Sequence, residues 1–234
     1  MKSILLTILF TTFSLNVSAQ TTEFSVQLNT GGFRFTGLSA EKTEHINANY
    51  DTQKGYTNNP YGNQFDLSYG LSASITKIIK RKFRLGIDIG YEVLRSKIEI
   101  DGVWQSSDTI NETVPASGKT NLNVSFINVF PKIGFQTAMQ KYTVYLDAGV
   151  DIGYCLSAKE IGSAKTDSRS FTTNVDRKTI DYDIRPRIQL GVTRNKYGAY
   201  VGYSKGITNY MSDYVGGTSE AFSEVIRLGF VYSL

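Results

Sequence analysis

Hydrophobic residues alternate with polar or small residues over long stretches of this chain, which is the period of a β-strand. In residues 65–76 the apolar side chains hold the odd positions, and Asp, Ser and Gly hold most of the even ones. Residues 83–93 repeat the pattern. The six residues between these runs, 77–82, predict a short turn that joins two antiparallel strands.

Six further runs complete a predicted set of eight strands, which makes the chain all-β. Four of them alternate regularly: 142–156, 180–192, 197–204 and 226–234. The first run, 24–28, precedes Gly31 and Gly32, where we expect a bend or bulge. In the run 122–135 the apolar residues change from even to odd positions, so we expect a one-residue bulge near 127–128.

The connections between these strands alternate in length. Residues 77–82, 139–141 and 194–196 are short turns, whereas 38–62, 101–120, 158–178 and 207–220 are long and rich in Ser, Thr, Asn, Asp and Gly. Short turns at one rim and long loops at the other are typical of transmembrane barrels. We therefore predict a single antiparallel up-and-down transmembrane β-barrel of about eight strands. Its short turns would be periplasmic and its four long loops external.

The composition of the two strand faces separates a membrane barrel from a soluble one. The polar face is mainly Gly, Ser, Thr and Asn, with a few charged residues, which suits a narrow lumen. The apolar face has Leu, Ile, Val and Ala at its centre and Tyr or Phe towards its ends, which suits the membrane–water boundary. These patterns favour a membrane barrel. A soluble periplasmic ligand-binding barrel of the lipocalin type remains an alternative.

The first nineteen residues have the pattern of a secretory signal peptide. Lys2 supplies a positive start, an apolar run follows, and small residues end at Ala19. The apolar run is shorter than the roughly 20 residues of a membrane-spanning helix. We therefore expect residues 1–19 to be a cleaved signal peptide and residues 20–234 to form the barrel, located in a bacterial outer membrane.

Charge and cysteine content exclude two further classes. The chain has 25 Lys and Arg against 21 Asp and Glu, and loss of Lys2 with the signal leaves 24 − 21 = +3. This excess is too small for a nucleic-acid-binding protein, which usually has a clustered basic stripe. The one cysteine, Cys155, cannot form an internal disulfide.

Two segments resemble the PorT-like outer-membrane β-barrel domain that is common in Bacteroidetes. Residues 121–135, NLNVSFINVFPKIGF, are similar to that family's fourth strand, and residues 145–154 are similar to its glycine-spaced fifth strand. Asn128 stands where the family often has an acidic residue. The resemblance implies a small outer-membrane barrel over most of the mature chain. It implies no particular activity.

No residue pattern predicts catalysis, a cofactor or a metal. His45 is the only histidine, and Glu41, Glu44 and Asp51 share its predicted loop. A general base would also need an orienting carboxylate and a nucleophile held beside it. We interpret His45 as a loop residue with solvated acidic neighbours and expect the protein not to be an enzyme.

Charged residues on the polar strand faces should point into the barrel. They are Arg84, Asp88, Glu92, Asp147, Asp151, Asp181, Asp183, Arg185, Arg187 and Arg227. They could line a polar pathway for ions, or they could form a charge-paired plug, which an eight-stranded lumen favours because side chains alone can fill it. Cys155 should lie on the same face, as a small buried filler rather than a reactive thiol.

The remaining expectations concern partners. Lys77, Lys80, Arg81 and Lys82 form a basic turn that either is solvated or binds acidic lipid headgroups or a periplasmic protein. The final strand, ending at Leu234, resembles the signal read by the outer-membrane barrel-assembly machinery. We therefore predict a non-enzymatic barrel with outer-membrane lipid and that machinery as partners. Its role would be structural or surface binding through the long loops, with a channel or transport accessory as the alternative.

Overall fold

A computed structural model describes residues 20–212 and 219–234. The predicted signal peptide, residues 1–19, lies outside this range. Eleven strands of one sheet are described: β1 (Gln20–Thr36), β2 (Thr43–Asn49), β3 (Lys54–Thr57), β4 (Gln64–Ile79), β5 (Phe83–Ser106), β6 (Asn111–Met139), β7 (Tyr142–Lys165), β8 (Ser170–Asp176), β9 (Tyr182–Arg194), β10 (Tyr197–Lys205) and β11 (Phe222–Ser233). The described ranges contain no helix with the length and hydropathy that a membrane crossing requires.

Hydrogen bonding closes part of this sheet into an antiparallel barrel. The ring runs β1–β4–β5–β6–β7–β9–β10–β11 and returns to β1. Closure leaves no unpaired edge, which is the condition for a sheet in lipid. The predicted all-β barrel is confirmed, but the predicted count of eight strands is not, because the described residues form eleven.

The three additional strands, β2, β3 and β8, arise within segments predicted as long loops. β2 and β3 lie in 38–62, and β8 lies in 158–178. The segment 101–120 is also mainly strand, since β5 and β6 continue into it and are joined by a short turn at residues 107–110. These segments are rich in polar residues, so their strand period is hard to recognise in the sequence.

The three short turns are confirmed. β4 and β5 are joined by residues 80–82, β6 and β7 by residues 140–141, and β9 and β10 by residues 195–196. Each turn contains a non-glycine residue in the left-handed region, with φ of 51° at Lys80, 55° at Gln140 and 54° at Asn195. Such φ values fit the tight turns that match the twist of antiparallel strands.

The apolar strand faces point away from the barrel. Leu28 is 57% exposed and Ile133 is 66% exposed. Further outward-facing residues are Leu67, Leu71, Ile89, Leu190, Val201 and Leu228. A continuous apolar belt of this kind requires lipid around it. The soluble lipocalin-type alternative needs the same face to point inward, so the structure contradicts it.

The apolar belt has the height of a membrane crossing. On β5 the outward side chains are apolar at alternate positions from Phe83 to Tyr91, a span of nine residues, compared with the roughly 9–11 of a membrane-spanning strand. Exposed aromatic residues border the belt on both sides: Phe83, Phe135, Tyr142 and Tyr197 near the short turns, and Tyr69, Tyr91, Tyr154, Tyr182 and Tyr203 near the other rim. Beyond Tyr91, β5 continues to Ser106 outside the belt.

Two predicted irregularities are wrong. β6 pairs with β5 without interruption through Ile127 and Asn128, so β6 itself has no bulge there. Its register with β7 shifts nearby, between Ser125 and Phe126, where Leu156 of β7 is the extra residue. Its apolar even residues, such as Val124 and Phe126, instead point inward and are fully buried, while its odd residues face lipid. β1 likewise passes through Gly31 and Gly32 in continuous register with β4 and β11. In both strands, one set of apolar residues faces lipid, and the other set packs in an apolar core inside the barrel.

Three long strands carry a second ring above the belt, which we call the distal barrel. It consists of β2, β3, β8 and the distal parts of β5, β6 and β7, in the closed order β2–β3–β8–β7–β6–β5. Two of its pairings are parallel, β2 with β5 and β3 with β8. The distal barrel and the membrane barrel therefore share β5, β6 and β7.

The distal barrel has its own apolar core. The buried members are Ile46, Ala48, Ile98, Ile100, Val103, Ala164 and Phe171. Phe171 and Ile46 are completely buried. Below this core, the fully buried carboxylate of Glu160 accepts hydrogen bonds from the Thr57 amide at 3.1 Å and from Arg177 Nε at 2.7 Å. The hydrogen bond from Thr57 ties the short strand β3 to β7, and the ion pair with Arg177 ties the segment after β8 to β7.

Phe171→Ala should loosen the distal barrel and leave the membrane barrel intact. The lost ring removes the largest side chain of the distal core, at a cost of about 3–5 kcal/mol of local stability. We expect faster tryptic cleavage at Lys54, which lies at the β3–β8 seam. The slower gel mobility that membrane barrels show after boiling should persist. Asn174→Ala, an exposed change on the same strand, is the control. Loss of the mobility shift in Phe171→Ala would contradict the independence of the membrane barrel from the distal barrel.

Candidate functional site: the lumen and the distal barrel

Two acids lie at the centre of the lumen. Glu92 accepts hydrogen bonds from Arg185 and from Arg227, whose Nη2 is 2.9 Å from Oε2. Asp151 Oδ2 lies 3.0 Å from Nη2 of Arg227 and 3.3 Å from Nη2 of Arg185. All four side chains are at most 3% exposed. Their charges are therefore balanced by one another rather than by bulk water.

A second charged layer lies closer to the short turns. Lys132 Nζ is 2.6 Å from Asp88 Oδ1 and 3.8 Å from Asp147 Oδ2. The Arg84 guanidinium donates from Nε to Asp147 Oδ1 at 2.8 Å and lies 4.3 Å from the centre of the Tyr145 ring. Lys132 was not among the predicted lumen residues, because the expected bulge obscured which face of β6 points inward.

The lumen charges balance and leave little space. Five bases (Arg84, Lys132, Arg185, Arg187 and Arg227) face five acids (Asp88, Glu92, Asp147, Asp151 and Asp183). Asp181, predicted to join them, is exposed because it precedes β9. Near the short turns, a cavity of about 20 Å³ remains beside Gln27 and Lys132, enough for about one water molecule. Of the two readings of these charges, the described residues support the plug.

An apolar plug closes the lumen above the charges. Phe33 and Phe35 of β1 meet Tyr61 and Tyr210, which fold in from the connections before β4 and β11. Neighbouring rings pack edge to face, with centroids 4.8 Å apart for Phe35 and Tyr210. The Tyr210 hydroxyl donates to Asp183 Oδ2 at 2.8 Å. The strand patterns of the sequence did not predict this apolar plug, although the change to odd apolar positions at Phe33 and Phe35 was a signal for it.

Cys155 packs against this apolar plug. The residue is half-buried, and its Sγ lies 3.8 Å from Thr179 Oγ1. This location agrees with its interpretation as a small filler. At the opposite rim, Lys80, Arg81 and Lys82 are exposed on their turn, and their binding of a partner stays a prediction.

His45 lies on β2 in the distal barrel. Its Nδ1 is 3.3 Å from Asp101 Oδ1, so the carboxylate beside its imidazole is not one of the three acids predicted nearby. Of those three, Glu44 accepts a hydrogen bond from the His45 backbone amide at 2.8 Å. Burial raises the pKa of the neighbouring Glu44 carboxyl above its usual range, and the charges of Glu41 and Asp101 act in the same direction. Among the described contacts of His45, none is with a hydroxyl or thiol that could serve as a nucleophile. The absence of enzymatic activity stays a prediction.

The outer surface of the distal barrel carries a row of aromatic and amide side chains. Trp104 of β5 pairs with Asn47 of β2, which pairs in turn with Tyr56 of β3. Trp104 is 41% exposed and Tyr56 is 47% exposed. Asn111 accepts a hydrogen bond from Trp104 Nε1 at 2.8 Å, and Asn58 accepts one from Asn47 Nδ2 at 2.6 Å. We call Trp104, Asn47 and Tyr56, with Asn58 and Asn111, the aromatic–amide row.

Comparison with known proteins gives only fold-level likenesses. No protein-family model matches the chain, and no curated protein matches its sequence, so membership of the PorT-like family is not shown. The chain is similar to Neisserial surface protein A, with 11% identity, a TM-score of 0.39, and coverage of 92% of this chain and 99% of that one. It is also similar to Ail, the attachment invasion locus protein of Yersinia pestis, in complex with the heparin analogue sucrose octasulfate, with 12% identity, a TM-score of 0.36, and coverage of 91% and 99%. At these values the likenesses support no statement about function.

Arg227→Met should destabilise the barrel strongly. The change leaves Glu92 and Asp151 short of a cation in a buried site, at a cost of about 3–5 kcal/mol in the free energy of unfolding. Urea unfolding of the purified barrel in detergent, followed by the gel mobility shift, measures this loss. In the double variant Glu92→Gln, Arg227→Met we expect a loss smaller than the sum of the two single changes. Additive losses would show that the lumen charges do not act as one network.

Proposed function

We propose that the protein is a non-enzymatic integral barrel of a bacterial outer membrane that holds the distal barrel at the cell surface for binding. The observation that carries the proposal is the combination of an outward apolar belt with a lumen filled by its own side chains. A scaffold without a pore leaves its exposed extension as the part that can meet other molecules. Binding residues are commonly presented in this way by a rigid scaffold.

The arrangement of the long strands supports the proposed roles of the membrane barrel as a scaffold and of the distal barrel as a binding surface. β5, β6 and β7 continue from the membrane barrel into the distal barrel without a flexible linker. The distal barrel is therefore held at a fixed orientation above the belt. Its closed ring and separate apolar core make a rigid surface rather than a set of mobile loops. The predicted partners, outer-membrane lipid and the barrel-assembly machinery, fit this proposal.

The filled lumen makes a specific prediction about conductance. Because the ion pairs and the apolar plug occupy the interior, the wild-type barrel in planar lipid bilayers should produce no discrete current steps, even at high protein concentration. A general porin reconstituted in parallel is the positive control. Regular current steps from the wild-type barrel would contradict a filled lumen and favour the channel or transport-accessory function.

The proposed orientation predicts which rim is accessible on intact cells. Thr109 lies exposed at the β5–β6 turn of the distal barrel, and Lys80 lies exposed at a short turn. In a Cys155→Ser background, Thr109→Cys should react with a membrane-impermeant maleimide on intact cells. Lys80→Cys should react only after the cells are lysed, because the short turns are periplasmic. The reverse pattern would place the distal barrel in the periplasm and overturn the surface-binding proposal.

A further inference from the structure

We propose that the aromatic–amide row on the distal barrel is a binding site for a neutral oligosaccharide. The inference rests on the proposed function, since it needs the distal barrel to be exposed at the cell surface. It assigns a ligand class to that surface.

The register places the three central side chains on one face. Directly paired residues of neighbouring strands point to the same side of a sheet. The residues that alternate with them, Ile46, Val103 and Thr57, are completely buried in the interior of the distal barrel. Trp104, Asn47 and Tyr56 therefore all point outward. Because neighbouring strands lie about 4.8 Å apart, the strand positions of Trp104 and Tyr56 are about 10 Å apart.

This spacing suits a short chain of sugar rings. An aromatic ring packs well against the apolar face of a pyranose, where several C–H groups point in one direction. Two rings separated by one intervening strand can each contact a different sugar of an oligosaccharide. Between them stands the amide of Asn47 rather than another apolar group. The row is therefore not a continuous apolar patch of the kind that docks proteins.

The amides of the row are positioned and retain hydrogen-bonding capacity. Asn111 uses its carbonyl oxygen to fix the Trp104 ring, and Asn58 uses its own to accept from Asn47. These described bonds leave the side-chain NH₂ groups of Asn111 and Asn58 as donors and the Asn47 oxygen as an acceptor. Sugar hydroxyls both donate and accept, so such a mixed set matches them.

The charge of the row favours a neutral ligand. None of its five residues is ionisable except the Tyr56 phenol. The guanidinium of Arg177 lies 5.5 Å from the centre of the Tyr56 ring, but it is paired with the buried Glu160 carboxylate. Lys54 is exposed two residues before Tyr56 on the same face, beside the row. An acidic or sulfated polysaccharide would therefore find no free cation within the row and a single ammonium at its border.

Trp104 is the only tryptophan of the chain, so its fluorescence reports on this site alone. The folded mature protein in detergent would be titrated with maltotetraose, cellotetraose and chitotetraose, and with a sulfated oligosaccharide as the charged comparison. We expect at least one neutral probe to change Trp104 emission saturably at micromolar to millimolar concentration. Binding should be insensitive to salt, because no ion pair forms.

Matched variants separate stacking from a change in fold. Tyr56→Ala should weaken binding roughly three- to tenfold, whereas Tyr56→Phe, which keeps the ring, should bind about as well as wild type. Asn47→Ala should also weaken binding, and Ser163→Ala, an exposed polar change on β7 at the opposite side of the distal barrel, should not. Equal losses in Tyr56→Phe and Tyr56→Ala would overturn the stacking geometry.

Three results would overturn the inference. They are the absence of any saturable change with all three neutral probes, binding of the sulfated probe alone, and a neutral-probe signal that Tyr56→Ala and Asn47→Ala leave unchanged. If Thr109→Cys is still labelled on intact cells, only the ligand assignment fails, and a protein partner becomes the next candidate for the same surface. If Thr109→Cys is not labelled, the proposed function fails as well.

Discussion

Inside the hydrocarbon layer, backbone amides and carbonyls have no water to bond to, so every strand in the belt needs a partner on both sides. The pairings of β7 with β9 and of β1 with β11 meet this requirement by closing the ring. Closure fixes which side chains point to lipid and which point inward. The apolar belt, the narrow lumen and the two rims all follow from it.

A narrow closed ring creates a second constraint, because its interior must be filled without leaving a buried charge unpaired. The lower half of the lumen meets it with ion pairs, centred on Glu92 and Asp151 and on Asp88 and Lys132. The upper half meets it with aromatic rings around Phe35. Tyr210 joins the two halves, since its ring packs in the apolar plug while its hydroxyl binds Asp183.

A second closed ring of strands forms beyond the membrane. Where β5 and β7 leave the belt, their outer neighbours change from β4 and β9 to the short strands β2 and β8, and β3 joins these two to close a smaller ring. This ring buries an apolar core of its own and turns a polar surface outward. Long polar segments that would otherwise be flexible are thereby held as a rigid surface. The aromatic–amide row depends on this rigidity, because its residues come from three different strands.

The sequence by itself determined the strands of the membrane barrel, the three tight turns and the inward placement of residues such as Asp147 and Arg185, since a period of two and a turn are local properties. It did not determine the direction of Val124 and Phe126, because an apolar side chain fits either lipid or an apolar plug. Nor could it show that Trp104, Asn47 and Tyr56 form one row, since their pairing joins distant segments. Only the tertiary structure decided these points, because register between distant strands depends on closure of the whole ring rather than on local pattern.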